Sequence, residues 1–253
     1  MDQIKGLFID IDGVLIEDNR AIKGVVDTLN HLREKYKIRL LTNTTTKTVK
    51  EIHQLLIQLG FIIEKKEIIT APVAAKIILK KKDITKIYPV VNKQILPDFT
   101  EFTIDKNKPE AIIIGDIGTT WDFNLLNNLF KYMMGGTELI ALHKSKFWKR
   151  KGELQLDIGM FVEGLEYATG KNATVIGKPS SSFFDAALQS INLLKHEIIM
   201  IGDDIDGDIG GAQHFGLKAF LVKTGKYNEN FVAASSIKPD KIIPSFKNLF
   251  EKL

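Results

Sequence analysis

Short runs of Ile, Val and Leu alternate along the chain with stretches whose apolar residues recur every three to four positions. The apolar runs fall at residues 5–11, 38–42, 67–70, 86–91, 111–115, 138–143, 173–176, 197–202 and 218–223. Most are apolar at consecutive positions, as expected of strands covered on both faces. Helical spacing falls between them, at residues 24–35, 47–59, 123–134, 161–168 and 182–194. Strands alternating with helices predict an α/β architecture with a parallel sheet. No internal repeat, low-complexity tract or disordered linker interrupts the pattern.

The polar residues that end these strands are unevenly distributed. The first strand ends in Asp10 and Asp12, the second in Thr42 and Asn43, and a late one in Asp203 and Asp204, whereas the strands between about 86 and 143 carry no comparable set. Open α/β sheets bind ligands beyond the carboxyl ends of their strands. The first and last thirds are therefore expected to form one core, residues 1–83 with 174–253, and residues 84–173 an inserted domain.

Composition narrows the function. At 253 residues, 44% hydrophobic and 26% charged, the chain reads as an ordinary globular protein able to bury a substantial core. The absence of cysteine excludes disulfides, thiolate nucleophiles and Cys-ligated zinc. The net charge of +4 comes from lysines spread among acids, and the densest run, Lys80 to Lys82, reads as a solvated helix end. No nucleic-acid partner is expected; a mildly positive surface would instead draw in anionic substrates. No segment approaches the roughly 18 apolar residues of a membrane span, so no membrane partner is expected. The first residues carry an acid and no signal-type apolar region, which predicts a cytoplasmic protein.

The stretch "LFIDIDGVL" concentrates the chemistry. Side chains alternate faces along a strand, so Asp10 and Asp12 would share one face if the strand ran straight through both. Gly13 permits a sharp turn that brings backbone N–H groups close to a ligand. Two adjacent carboxylates repel, and burying them without a cation is costly. Mg²⁺, which prefers a few carboxylates together with water and phosphate oxygens, would resolve that conflict. "MIGDDIDGD" supplies further acids at another strand end, Asp203, Asp204, Asp206 and Asp208. "LLTNTTT" puts hydroxyls and an amide at a strand-to-helix junction, where N–H groups hold anions. In "VIGKPSSSFF", Pro179 disfavours helix at Lys178, and a serine of the 180–182 run caps the helix that follows. Each piece alone has an ordinary reading as a turn, a helix cap or a solvated charge. Their succession after strands, across the whole chain, is far more specific.

These residues resemble the four motifs of the haloacid dehalogenase superfamily of phosphatases: "DIDG" the first, Thr42 in "LLTN" the second, Lys178 in "GKP" the third and "GDDIDGD" the fourth. The resemblance covers essentially the entire chain. It implies a Rossmann-like core with a central parallel sheet and an inserted α/β cap of the C2 type, as in class IIA. "LEYATGKNATVIGKPS" and "IGDDIDGDIGGAQHFGLKAFLVKTGKY" resemble the subgroup containing the phospholysine phosphohistidine inorganic pyrophosphate phosphatase.

By that resemblance Asp10 is the nucleophile and forms an aspartyl-phosphate, and Asp12 is the general acid/base. Mg²⁺ would be held by the Asp10 carboxylate, the Asp12 backbone carbonyl and Asp203, with Asp204 and Asp208 supporting the metal site or orienting Lys178. Gly13, Thr42, Asn43 and Lys178 would grip the phosphoryl group of a small phosphorylated substrate. Specificity would come from the cap, where "LHKSKFWKR" places His143, Lys144, Phe147 and Trp148 close together as a lip over the leaving group. Trp121 instead reads as packing at a helix start capped by Asp122. Met160 stands where relatives usually carry Pro after Gly. Homodimerisation through the cap fits this group, although no apolar stripe in the sequence establishes it.

Two other classes compete. A receiver-like signalling module also gathers acids, a Thr and a Lys around an acceptor Asp, but motif order and the large insertion argue against it. A catalytically silent binding protein on the same fold would not need every catalytic side chain, and here all are present. A phosphomutase is disfavoured by the cap type.

Overall fold

The run Gly6–Asp10 is buried at all five positions and forms an inner strand of a six-stranded sheet. The computed structural model describes residues 4–150 and 153–252, and the backbone alone for 147–150, 153–154 and 251–252. Across the sheet the order is Lys241–Ile243, Lys218–Val222, Ile198–Gly202, Gly6–Asp10, Lys37–Thr42 and Ile68–Thr70. Gly6–Asp10 pairs in parallel with Ile198–Gly202 on one side and Lys37–Thr42 on the other, with Ile9 opposite Ile201 and Asp10 opposite Leu41. The carboxyl ends of these three strands therefore lie side by side. The chain reverses its direction of travel across the sheet at Gly6–Asp10, which is where such sheets bind ligands.

Two compact units result. One comprises the segments up to Thr42, Val49–Ile69 and Lys178 onward; the other comprises Asn43–Thr48 and Thr70–Gly177. In the first unit, the helix Val25–Leu32 buries Val25, Leu29 and Leu32, and Val49–Gln58 buries Val49, Ile52 and Leu56, the three-to-four-residue spacing of an amphipathic helix. The helix Ser181–Gln189 is capped by Ser180, whose side chain accepts the Ser182 N–H at 3.2 Å. The expected extension of this helix to 194 is not formed: Asn192 adopts a left-handed backbone (φ 52°) beyond its end.

The second unit has its own parallel sheet, in the order Thr174–Val175, Glu138–Ala141, Ala111–Ile114, Lys86–Val90, Thr103–Ile104. Its core joins Ile112, Ile114 and Leu139 to Leu129 and Met133 of the helix Phe123–Met134 and Val162 and Leu165 of Gly159–Thr169. Asp122 caps the former helix, accepting the Leu125 N–H at 2.7 Å, and Trp121 stacks on Phe161 with ring centroids 4.1 Å apart. An antiparallel hairpin, Phe147–Arg150 with Glu153–Leu156, completes the unit.

This unit is wider than the insertion expected at 84–173. It also takes in the helix Ala71–Lys81, which starts at a Thr70 cap and is tied by Lys76 (3.4 Å) and Lys80 to Glu101. No helix among the described residues is long and apolar enough to cross a membrane.

Candidate active site

The first strand stops at Asp10, one residue short of the sequence expectation, and this separates the two aspartates. After Ile11 the chain coils: the Leu15 and Ile16 N–H groups both donate to the Ile11 carbonyl (2.9 and 3.0 Å), and Gly13 takes a left-handed backbone (φ 85°). Strand alternation no longer applies, so Asp10 is buried while Asp12 is exposed. The Gly13 N–H, expected to face a ligand, donates to the Ile16 carbonyl at 2.7 Å. What Gly13 supplies is room, since a Cβ there would fall 2.0 Å from Asp203 Oδ2.

Around Asp10 the fold gathers residues from three distant segments. Lys178, joined to Pro179 by a cis peptide, places its Nζ 2.5 Å from Asp10 Oδ1 and 2.6 Å from Asp208 Oδ1. It also donates to the Leu41 carbonyl at 3.4 Å. Asp10, Asp203 and Asp208, all buried, bring carboxylate oxygens within 4.8 Å of one another. Thr42 Oγ1 reaches Asp12 Oδ2 at 3.5 Å. Asp208 holds its place through both oxygens, because Oδ2 accepts the Asp203 and Asp204 N–H groups at 3.2 Å each. It can come so close to the strand end only because residue 202 is glycine, where a Cβ would lie 2.2 Å from Asp208 Cβ.

Three carboxylates facing one ammonium leave the cluster short of positive charge. Burial, reinforced by Asp208 and Asp203, raises the Asp10 pKa well above its usual range despite the opposing charge of Lys178. Burial and the Asp208 charge push Asp203 up to about 7 against the Lys226 N–H. Burial works against the Lys178 charge, but Asp10 and Asp208 overcome it and raise its pKa, keeping it an ammonium. A site that holds protons this tightly on its carboxylates is one that a divalent cation would relieve.

The other expected site residues are placed differently. Asp204 does not touch Lys178: its Oδ1 accepts the Asp206 and Gly207 N–H groups (3.1 and 2.9 Å) and its Oδ2 meets Lys226 Nζ at 3.0 Å. Orienting Lys178 therefore falls to Asp208. Asn43 belongs to the second unit, beside Gly177, where an added Cβ would meet its amide oxygen at 2.9 Å. Also in the second unit, His143 is buried with Nδ1 3.7 Å from Asp157 Oδ2, and Lys144 is engaged by Glu163 (2.8 Å) and Glu166 (2.6 Å). The side chains of Phe147 and Trp148 lie outside the described residues. Residues 224–226, to which the sequence motifs assign no role, touch Asp203, Asp204 and Gly13. Their signal is a glycine, in "KTGK", three residues after the end of a buried strand.

Residues 7–105 match the haloacid dehalogenase-like hydrolase family model, and residues 175–249 match the HAD-hydrolase-like model. The chain is 38% identical over 225 residues, 88% of this chain and 86% of the relative, to the haloacid dehalogenase-like hydrolase domain-containing protein 2 of Bos taurus. The chain belongs to the haloacid dehalogenase-like hydrolase family. It is also 35% identical over 257 residues to the phospholysine phosphohistidine inorganic pyrophosphate phosphatase of Homo sapiens, covering 99% of this chain and 94% of that one. Among solved structures, p-nitrophenyl phosphatase from Archaeoglobus fulgidus shares the fold with a TM-score of 0.91 at 24% identity, over 99% of this chain and 100% of that one. This chain is thus a haloacid dehalogenase-type phosphatase with a Rossmann-like core and an inserted α/β cap of class IIA.

Proposed function

We propose that this phosphatase is Mg²⁺-dependent and hydrolyses a small phosphorylated metabolite, pyrophosphate or a phosphoamine through an aspartyl-phosphate on Asp10. The observation that carries this reading is the buried triad of Asp10, Asp203 and Asp208 set against Lys178. The donor set fits a hard cation, being all carboxylate, buried and short of positive charge. Asp10 and Asp203 would hold Mg²⁺ together with the Asp12 carbonyl, and Asp208 would support them. When bound, Mg²⁺ supplies positive charge against the phosphoryl oxygens.

The chain's own residues do the rest. Lys178 positions Asp10 and adds a second positive charge beside the transferring group. An Asp10 oxygen bonds to phosphorus as the bond to the leaving oxygen or nitrogen breaks, and Asp12 gives its proton to that atom. Asp12 then takes a proton from water, whose oxygen attacks the phosphorus and releases Asp10. The exposure of Asp12 suits this exchange, since the proton must travel between the leaving group, water and solvent. Similarity to the phosphatase named for phospholysine, phosphohistidine and pyrophosphate supports placing P–N and P–O–P bonds among the substrates.

The test is hydrolysis of a generic aryl phosphate by purified protein with Mg²⁺, followed by a panel of pyrophosphate, phospholysine, sugar phosphates and nucleotides. Turnover that persists in Asp10→Asn, or in excess EDTA, contradicts the proposal.

A further inference from the structure

One oxygen of Asp203 accepts a backbone N–H from a turn, residues 224–226, that lies outside the four motifs. The strand Lys218–Val222 runs into a turn closed by the Tyr227 N–H on the Thr224 carbonyl at 3.2 Å, with Gly225 in the left-handed region (φ 62°). From this turn the Lys226 N–H donates to Asp203 Oδ2 at 2.7 Å. Thr224 Oγ1 donates to the Gly13 carbonyl at 2.5 Å, joining the turn to the loop that follows Asp10. Lys226 Nζ pairs with Asp204 Oδ2 at 3.0 Å.

The two glycines complete the clamp. A Cβ built on Gly13 or on Gly225 would fall 2.0 Å from the same Asp203 Oδ2, and a Cβ on Gly225 would also lie 2.5 Å from Gly13 Cα. Two glycine backbones thus form a slot one carboxylate oxygen wide, and the Lys226 N–H occupies its end. Both need a left-handed backbone and the absence of a side chain, so the slot tolerates no other residue at either position. From the opposite side, Asp208 fixes the Asp203 backbone through the N–H it accepts at 3.2 Å.

From this geometry we infer that residues 224–226 are a positioning loop that fixes the Asp203 carboxylate in the orientation a divalent cation requires. Anchoring one oxygen of a ligating carboxylate by a backbone N–H orients the other, and outer partners of this kind set metal affinity. The inference rests on the metal reading above and extends it to Thr224, Gly225 and Lys226.

Isothermal titration calorimetry with Mg²⁺ on the full chain tests it, alongside the melting temperature of the metal-free protein. Gly225→Ala and Thr224→Val are expected to weaken Mg²⁺ binding about 10- to 100-fold, whereas Thr224→Ser, which keeps the hydroxyl, stays within about twofold of the parent chain. The metal-free melting temperature of Thr224→Val should move little, which separates positioning from a general loss of structure. If Gly225→Ala does not fold, the Thr224 pair still decides the matter. Saturable Mg²⁺ binding by the parent chain with unchanged affinity in Thr224→Val overturns the positioning role alone. No saturable binding by the parent chain overturns the metal reading and this inference with it.

Discussion

Lys178 and Asp10, 168 positions apart in the chain, form a buried ion pair with 2.5 Å between Nζ and Oδ1. The pair links the start of the core to its second half, and with Asp203 and Asp208 beside it carboxylates outnumber the buried ammonium around the proposed nucleophile.

Removing the ammonium should be costly in two ways. Lys178→Met leaves two buried carboxylates, Asp10 and Asp208, without their partner, and breaking such a pair costs about 3–5 kcal/mol. Chemical denaturation of the metal-free variant should show a loss of that order. Turnover should fall by about 100-fold or more, since a charge aimed at the phosphoryl group is lost. Added Mg²⁺ should recover stability but not turnover.

The metal-free protein should be less stable at neutral than at acidic pH on account of Asp203. Its pKa rises from 3.8 unfolded to about 7 folded, so the folded state binds the proton more tightly. That contribution is complete below about pH 4 and is lost as pH rises through about 7. Mg²⁺ takes the proton's place, so the rise in melting temperature it produces should grow between pH 5 and pH 8. A rise independent of pH would contradict the assignment.

His143 should act in the opposite sense. Burial lowers its pKa below 6.5 in spite of Asp157 and Asp116, so the fold favours the neutral ring. Its contribution is present above pH 6.5 and is lost as pH falls through the folded value. His143→Gln should flatten the decline in stability on the acid side of pH 6.5, read with Mg²⁺ absent and compared at matched pH.

Gly202→Ala should damage the site more than its single methyl suggests. The added carbon would meet Asp208 at 2.2 Å and drive it from Lys178. Overpacking of this kind costs about 1–3 kcal/mol. Turnover should fall further than this stability loss explains, measured at a temperature where the variant remains folded.

Much of this arrangement is legible in the residues. Asp10 ends one wholly buried strand and Asp203 directly follows another, and a carboxylate in such a place demands a partner, which makes the pair conspicuous in the sequence. Lys178 is marked by Pro179 and by the serine cap behind it. Only the shared face of Asp10 and Asp12 is not met, because alternation holds only while a strand continues, and the left-handed backbone of Gly13 follows the end of this one. The helix Ala71–Lys81 is apolar enough to suit either unit, and its place in the second is set by long-range contacts, among them its pairs to Glu101, that its sequence does not announce. Residues 224–226 act mainly through backbone and hydroxyl groups on a distant carboxylate, so little in their side-chain types announces them.

If Asp10 carries the phosphoryl group, acid quenching during turnover traps it there. Protein mixed with an aryl phosphate and Mg²⁺, quenched in acid within the first turnover and digested, should yield a peptide containing Asp10 heavier by one phosphoryl group. Asp12→Asn should still form this adduct from an activated aryl phosphate and should accumulate it, because no base remains to activate water. An adduct on any other residue, or turnover with no adduct in either protein, would rule out Asp10 as the nucleophile.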